Sequence, residues 1–350
     1  MAIAGTLIGW IGLSAFILLA DRWSSVQPDG PSWTLAAMSM PLSIWMALQL
    51  QIEVGRGNLR TWIACLATFA YAQLVLLAAL AAFGLFTVHT CLAATVVATA
   101  VAILFAQRRI SHRPSKQATI DGEAWWRPLV AGRRDNYATW LSLAASSADR
   151  LVVSLAFPAQ ALGDYVVMSS VAHLQNLVCE AIAPAMFADV AGSVSHDAVV
   201  VAGVARRLRQ TVLVSAFAGL ALAAIMPFVV PAVYGRQYGG DNLLIITITA
   251  ATSVRAMTRP FEEVLRAKDR AVEQSMVSTS VVIFFAIFCA GPAAWSYLPG
   301  VALGMLMANA IGLVMLARTV ARGLRVPPIE ILMPRPADLM AMIHELRPAL

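Results

Sequence analysis

The chain has 350 residues, of which 59% are hydrophobic and 13% charged, with a formal net charge of +6 and a mean hydropathy of +0.74. Soluble domains run at about 45–50% apolar and about 25% charged residues, so this composition excludes an ordinary cytosolic enzyme, a disordered chain and a nucleic-acid module. It points to an all-α polytopic membrane protein; at about 20 residues per spanning helix, the length holds about ten helices, and any function is carried out by the bundle itself.

Apolar stretches between polar or Gly/Pro breaks predict ten spans, at residues 3–20, 33–51, 62–84, 88–106, 137–157, 163–188, 209–233, 243–264, 275–291 and 298–317. The first lacks the basic flank of a signal peptide and is too long for its apolar core, so it reads as a retained helix. Twenty of the 25 Lys and Arg residues fall after even-numbered spans or in the tail, against Arg22 and Arg236 on the other face. The positive-inside rule then places both termini in the cytoplasm.

Residues 107–136 form a basic, polar cytoplasmic linker between a four-helix block (1–106) and a six-helix block (137–317), with a cytoplasmic tail at 318–350. Trp125 and Trp126 in the linker suit the membrane interface. Leu339, Met342, Ile343 and Leu346 at helical spacing would let the end of the tail lie on the inner leaflet.

Ionisable side chains at bilayer depth are costly and normally face a bundle interior. Asp149 and Arg150 sit well inside the fifth span. His173, Asn176 and Glu180 are spaced to share one face of the sixth span, and Thr252, Arg255, Arg259 and Glu262 one face of the eighth. Arg259 can pair along its helix with Glu262 or Glu263, whereas Arg255 has no expected partner there and is a candidate for binding an anionic group. Three alternatives stand beside these functional readings. Arg150 and Arg255 could tie helices together through Asp149 and Glu180, His173 could be a satisfied interior histidine, and Arg259 could snorkel to the interface.

Cys65, Cys91, Cys179 and Cys289 all lie in apolar segments without metal-ligand or disulfide spacing. No HExxH, GxSxG or P-loop pattern occurs. The expectation is a protein that is not an enzyme and has neither cofactor nor metal centre.

The segment SSADRLVVSLAFPAQALGDYVVMSSVAHLQNLVCEAIAPAMF, with Asp149-Arg150, Gly163-Asp164-Tyr165 and Pro184, resembles the opening of the C-terminal lobe of Wzx-type polysaccharide flippases. These belong to the multidrug/oligosaccharidyl-lipid/polysaccharide (MOP) exporter superfamily. Pro227 and the turn Tyr234, Gly235, Tyr238 continue the resemblance, as do RPFEEVLRAKDRAVEQSMV and the upstream stretch MALQLQIEVGRGNLRTWIACLATFAYAQLVLLAAL.

The resemblance implies a two-lobe MOP-like bundle with parallel repeats, of which the chain supplies all six helices of the second lobe and four of the first, lacking the first two. It also implies a bacterial inner membrane location and proteins of polysaccharide assembly as partners. The expected function is translocation of polyprenyl-pyrophosphate-linked oligosaccharide by alternating access, the head entering between lobes while the lipid tail stays in the bilayer. Arg255, Arg259 and Arg150 would then bind pyrophosphate, and Asp149 and Glu180 a coupling Na⁺ or H⁺. His173, Asn176 and Thr252 would line the cavity. The alternatives are a multidrug-type cation antiporter, which requires an acidic cavity, and a membrane glycan-modifying enzyme such as an O-acyltransferase or polymerase, which requires a catalytic group near a substantial outer loop.

Overall fold

The computed structural model describes residues 59–85, 87–111, 137, 141–142, 145–191, 198–238, 241–291 and 297–333, with isolated positions at 34–35, 38–39, 41–43, 45–46, 335 and 338. The span expected at 3–20, both linker tryptophans and the four apolar tail residues lie outside this set. Among the described residues the fold is all-helical, without strands. It divides into two compact units, Met1–Trp125 and Trp126–Leu350.

In the first unit, α1 (Leu59–Ala82) and α2 (Val88–Ser111) pack against each other. Their connection is written in local chemistry. Gly84 takes φ +68°, and Leu85 N–H reaches back to Leu80 O at 2.9 Å, the left-handed ending in which glycine carries no Cβ penalty. Thr87 then opens α2 by a reciprocal exchange with Thr90: each backbone N–H donates to the other's hydroxyl, at 2.9 and 3.3 Å. Gln73 Nε2 donates to Thr95 Oγ1 across the pair.

The second unit comprises α3 (145–156), α4 (Ala159–Ala172), a 3₁₀ segment (His173–Gln175), α5 (Asn176–Ala191) and α6 (Ala198–Tyr234). It continues with α7 (Asn242–Ala267), α8 (Ala271–Cys289), α9 (Leu298–Leu324) and the short α10 (Pro328–Leu332). α7 is the hub, packed against α9, α5, α6, α4 and α8. Asp241 caps it, accepting from Leu244 N–H at 3.0 Å. Asp269, at φ +56°, turns the chain directly into α8.

Among the described residues, five helices are long and apolar enough to cross a membrane, within Ile63–Ala82, His89–Arg109, Val201–Tyr234, Ala271–Cys289 and Leu298–Leu324. Their outward faces carry large apolar side chains: Tyr71, Leu74 and Val75 on α1, Phe217, Leu220 and Phe228 on α6, Ile283 and Ile287 on α8. Polar side chains turn inward and satisfy themselves locally. Thr249, Thr252 and Ser253 each donate to the carbonyl four residues back, at 2.7, 2.8 and 2.8 Å. This distribution is that of a polytopic protein whose outer solvent is lipid.

One sequence expectation is corrected here. The region near 189–208 is not a loop as far as 208, because α6 begins at Ala198 and carries Arg206, Arg207 and Arg209 on its first turns. At 1.5 Å per residue, its 37 residues run about 55 Å, well beyond a hydrocarbon core of about 30 Å, so a basic extension can be helical. The start of the tail packs back on the bundle. Ile331 is fully buried with Leu208, Phe261 and Leu324, and Arg209 grips the chain further on. Its Nε and Nη2 donate to the two carboxylate oxygens of Asp338, at 2.7 and 3.1 Å, and Nη1 donates to Glu330 O at 2.7 Å.

Small residues set the closest helix approaches, as is common where bilayer helices meet. A Cβ on Gly219 of α6 would lie 2.1 Å from Ser253 Oγ and 2.9 Å from its Cβ, both on α7. Gly219→Ala is therefore expected to destabilise the second unit by about 1–3 kcal/mol, read as a lower thermal midpoint in detergent. Gly163→Ala, where an added Cβ meets nothing within 4 Å, leaves the midpoint in place or raises it.

Candidate functional site

One face of α7 is a polar seam. At its centre Arg255, only 8% exposed, extends along its own helix and donates Nη1 to Glu262 Oε1 at 3.0 Å and to Thr258 Oγ1 at 3.3 Å. Nη2 donates to the carbonyl of Ser142 at 3.0 Å and to its hydroxyl. Ser142 Oγ in turn donates to Glu262 Oε2 at 3.2 Å, closing a ring of charge-assisted bonds between α7 and the segment ahead of α3. Arg259 Nη1 approaches the same Glu262 Oε2 at 3.4 Å. Thus one carboxylate, itself 2% exposed, serves two guanidiniums.

This corrects the expectation that Arg255 lacks a partner on its own helix. A separation of seven residues is two turns on one face, about 10.5 Å of rise. The Arg and Glu side chains close that gap by lying toward each other across Thr258. The cross-helix alternative is not realised either, since neither Asp149 nor Glu180 partners Arg255. Arg259 combines both of its sequence readings: it pairs with Glu262 while its side chain stays 30% exposed.

Above this clamp lies a cavity of about 20 Å³ lined by Ser146 and Asp149 of α3, Tyr165 of α4, His173, Thr252 and Arg255 of α7, and Met305 and Asn309 of α9. Such a volume holds a water molecule or a small ion and is too small for a pyrophosphate. Asp149, 8% exposed, accepts from Tyr165 Oη at 2.7 Å and from the backbone N–H of Arg150 at 2.8 Å. The Arg150 side chain turns elsewhere, and its Nε is buried without a partner. Asn309 donates Nδ2 to Ala251 O at 3.2 Å, leaving Oδ1 buried and unpaired.

The structure thus brings Asp149, His173, Thr252 and Arg255 to one cavity and places Arg259 one turn beyond. It does not bring Glu180 there; that residue is exposed on α5. His173, Asn176 and Glu180 do not share a face as a continuous α-helix would require. The 3₁₀ segment His173–Gln175 winds at three residues per turn and shifts the register between them. Asn176 is half-buried with Oδ1 unpaired.

Sequence reasoning missed Ser142, Tyr165 as a carboxylate partner, and Asn309. Of these, Asn309 carried a usable signal, an amide isolated in an apolar run. Among the described residues no group of three or more His, Cys, Asp or Glu could hold a metal ion. No protein-family model, curated protein or solved structure matches the chain.

Proposed function

We propose that this chain translocates a lipid-linked anionic headgroup, a polyprenyl-pyrophosphate oligosaccharide, across the bacterial cytoplasmic membrane as a Wzx-type member of the MOP superfamily. In this reading ten helices span the membrane and both termini are cytoplasmic. The observation that carries it is the charge balance of the clamp on α7: two guanidiniums, of Arg255 and Arg259, share the single carboxylate of Glu262.

A buried cationic excess attracts an anion, and arginine presents the planar donor fork that phosphate oxygens accept. Arg259, the more exposed member, makes first contact with the phosphates. Arg255 is held in place by Ser142, Thr258 and Glu262, so its guanidinium is pre-oriented and loses little freedom on binding. Because the resting cavity admits only a water-sized group, the headgroup site forms as the bundle opens to the inner leaflet, and outward rearrangement releases it. The lipid tail never leaves hydrocarbon.

The test is restoration of surface glycan in a strain blocked in lipid-linked glycan export, with folding checked by monodispersity in detergent. Arg259→Ala leaves the clamp's core bond intact and is expected to cut export about tenfold or more, the value of a charged hydrogen bond; Arg255→Ala abolishes it. Full export by a well-folded Arg255→Ala protein would remove the central assignment.

A further inference from the structure

The joint between α4 and α5 falls at His173. Its Nδ1 lies 2.6 Å from Ser169 O, and a carbonyl oxygen can only accept, so Nδ1 carries the hydrogen. The backbone N–H of His173 donates to the same carbonyl, which pins the ring from two sides. Nε2 is left with its lone pair, and among the described residues it has no hydrogen-bond partner.

The cavity this ring lines is rich in acceptors. Asp149 contributes a carboxylate from α3, and Asn309 of α9 has a buried, unpaired Oδ1. His173 lines the same space, which is about the size of one water. The other titratable or charged groups on this cavity are Tyr165 of α4, whose hydroxyl is committed to Asp149, and Arg255 of α7, whose charge is opposed by Glu262. α9 adds none.

We propose that His173 Nε2 is a proton-binding site, and that its occupancy sets the geometry of the α4–α5 joint. Uptake of one proton from cavity water converts Nε2 from an acceptor into a charged donor. It then has two acceptors to choose from, the Asp149 carboxylate and Asn309 Oδ1, on two different helices. Release returns the proton to water and leaves the ring held only at Nδ1. A 3₁₀ stretch inside a longer helix is a common place for a hinge; bonding across the cavity would tie α5 to α3 or α9, and losing that bond would free it. Histidine is the side chain whose ordinary titration lies between pH 5 and 8, and that range is the one to search. The role of this switch in driving transport rests on the proposed function, whereas the binding of the proton does not.

The test uses the full chain in nanodiscs with ¹⁵N-labelled histidine. The His173 ring signal is assigned among the five histidines by its loss in His173→Gln. Between pH 8 and pH 5 this ring is expected to pass from the Nδ1–H neutral form to the doubly protonated form. In Asp149→Asn the transition moves to lower pH by about one unit or more, because the opposing charge is gone. A His173 ring that keeps one protonation state from pH 5 to 8 overturns the proposal, and so does a transition unmoved in Asp149→Asn.

In vesicles loaded with a polyprenyl-pyrophosphate oligosaccharide, the ratio of transfer rates at pH 6 and pH 8 is expected to fall toward one in His173→Gln; an unchanged ratio overturns the proposed control of the joint. Absence of transfer by the wild-type chain at every pH, with the titration intact, overturns the transport reading and leaves the proton site supported.

Discussion

Glu262→Gln is expected to destabilise the second unit by about 3–5 kcal/mol, the cost of removing one partner from a buried ion pair. The loss is large because, among the described residues, Glu262 is the only carboxylate in contact with both Arg255 and Arg259, and it also accepts from Ser142. Neutralising it leaves Arg255 charged and buried without the carboxylate it touches. The matching experiment is the double replacement Arg255→Met with Glu262→Leu. Exchange of a whole buried pair for apolar side chains of similar size is often neutral or stabilising, and Arg259 retains access to solvent. The double variant should therefore recover most of the stability lost in Glu262→Gln, measured by denaturant titration in detergent, and yet export no glycan. A double variant that is both stable and active would reduce the clamp to a structural tie.

The second large effect concerns the tail. Arg209→Ala or Asp338→Asn removes one half of a two-pronged pair whose side chains are 9% and 4% exposed, again at a cost of about 3 kcal/mol. The cost falls locally on α10 rather than on the whole bundle. The arginine beside Asp338, by hydrogen bonding, holds its carboxyl below the usual carboxylate value. A depressed folded value means that the anion is favoured when the tail is docked. The docking energy is thus fully present above the ordinary Asp value of about 3.9 and is lost as pH falls through the lower, docked one. Hydrogen exchange of the 329–332 amides, corrected for intrinsic rate, should be slow at pH 7, faster at pH 3, and fast at both in Asp338→Asn. Slow exchange at pH 7 in Asp338→Asn would show that Ile331 packing alone holds the segment.

Membrane character was legible from hydropathy because the alternative to burial in lipid is so costly for these helices. The turn chemistry went unread, although Asp241 and Gly84 stand where a cap and a left-handed residue are needed. The candidate site was legible as a set of residues but not as a geometry. Asp149, His173, Thr252 and Arg255 could be picked out as polar atoms in apolar runs, yet nothing in their spacing said that three separate elements deliver them to one cavity. The Arg255–Glu262 bond lay outside the i, i+3 and i, i+4 pairs by which helix partners are sought. The turn at His173 has no Gly or Pro to announce it. Ser142 could not be distinguished from the many serines that merely bond back along a helix, and the Arg209–Asp338 pair, 129 residues apart in sequence, belongs to tertiary structure alone.

The seam on α7 also bears on how the chain is made. Its charges and hydroxyls, which keep it from the group of five apolar helices, are the same features that let it sit at the hub of the unit. An arginine near the middle of an isolated helix costs about 2.5–3.5 kcal/mol at the translocon, and α7 carries two, with two glutamates close behind. Such a segment gains little by entering lipid alone. It enters against α5 and α6, which emerge from the ribosome before it, and is sealed only when α9 follows. Biogenesis of this unit is therefore a matter of order: a stall or truncation between α7 and α9 would leave the least lipid-compatible helix at the membrane without the neighbour that covers it.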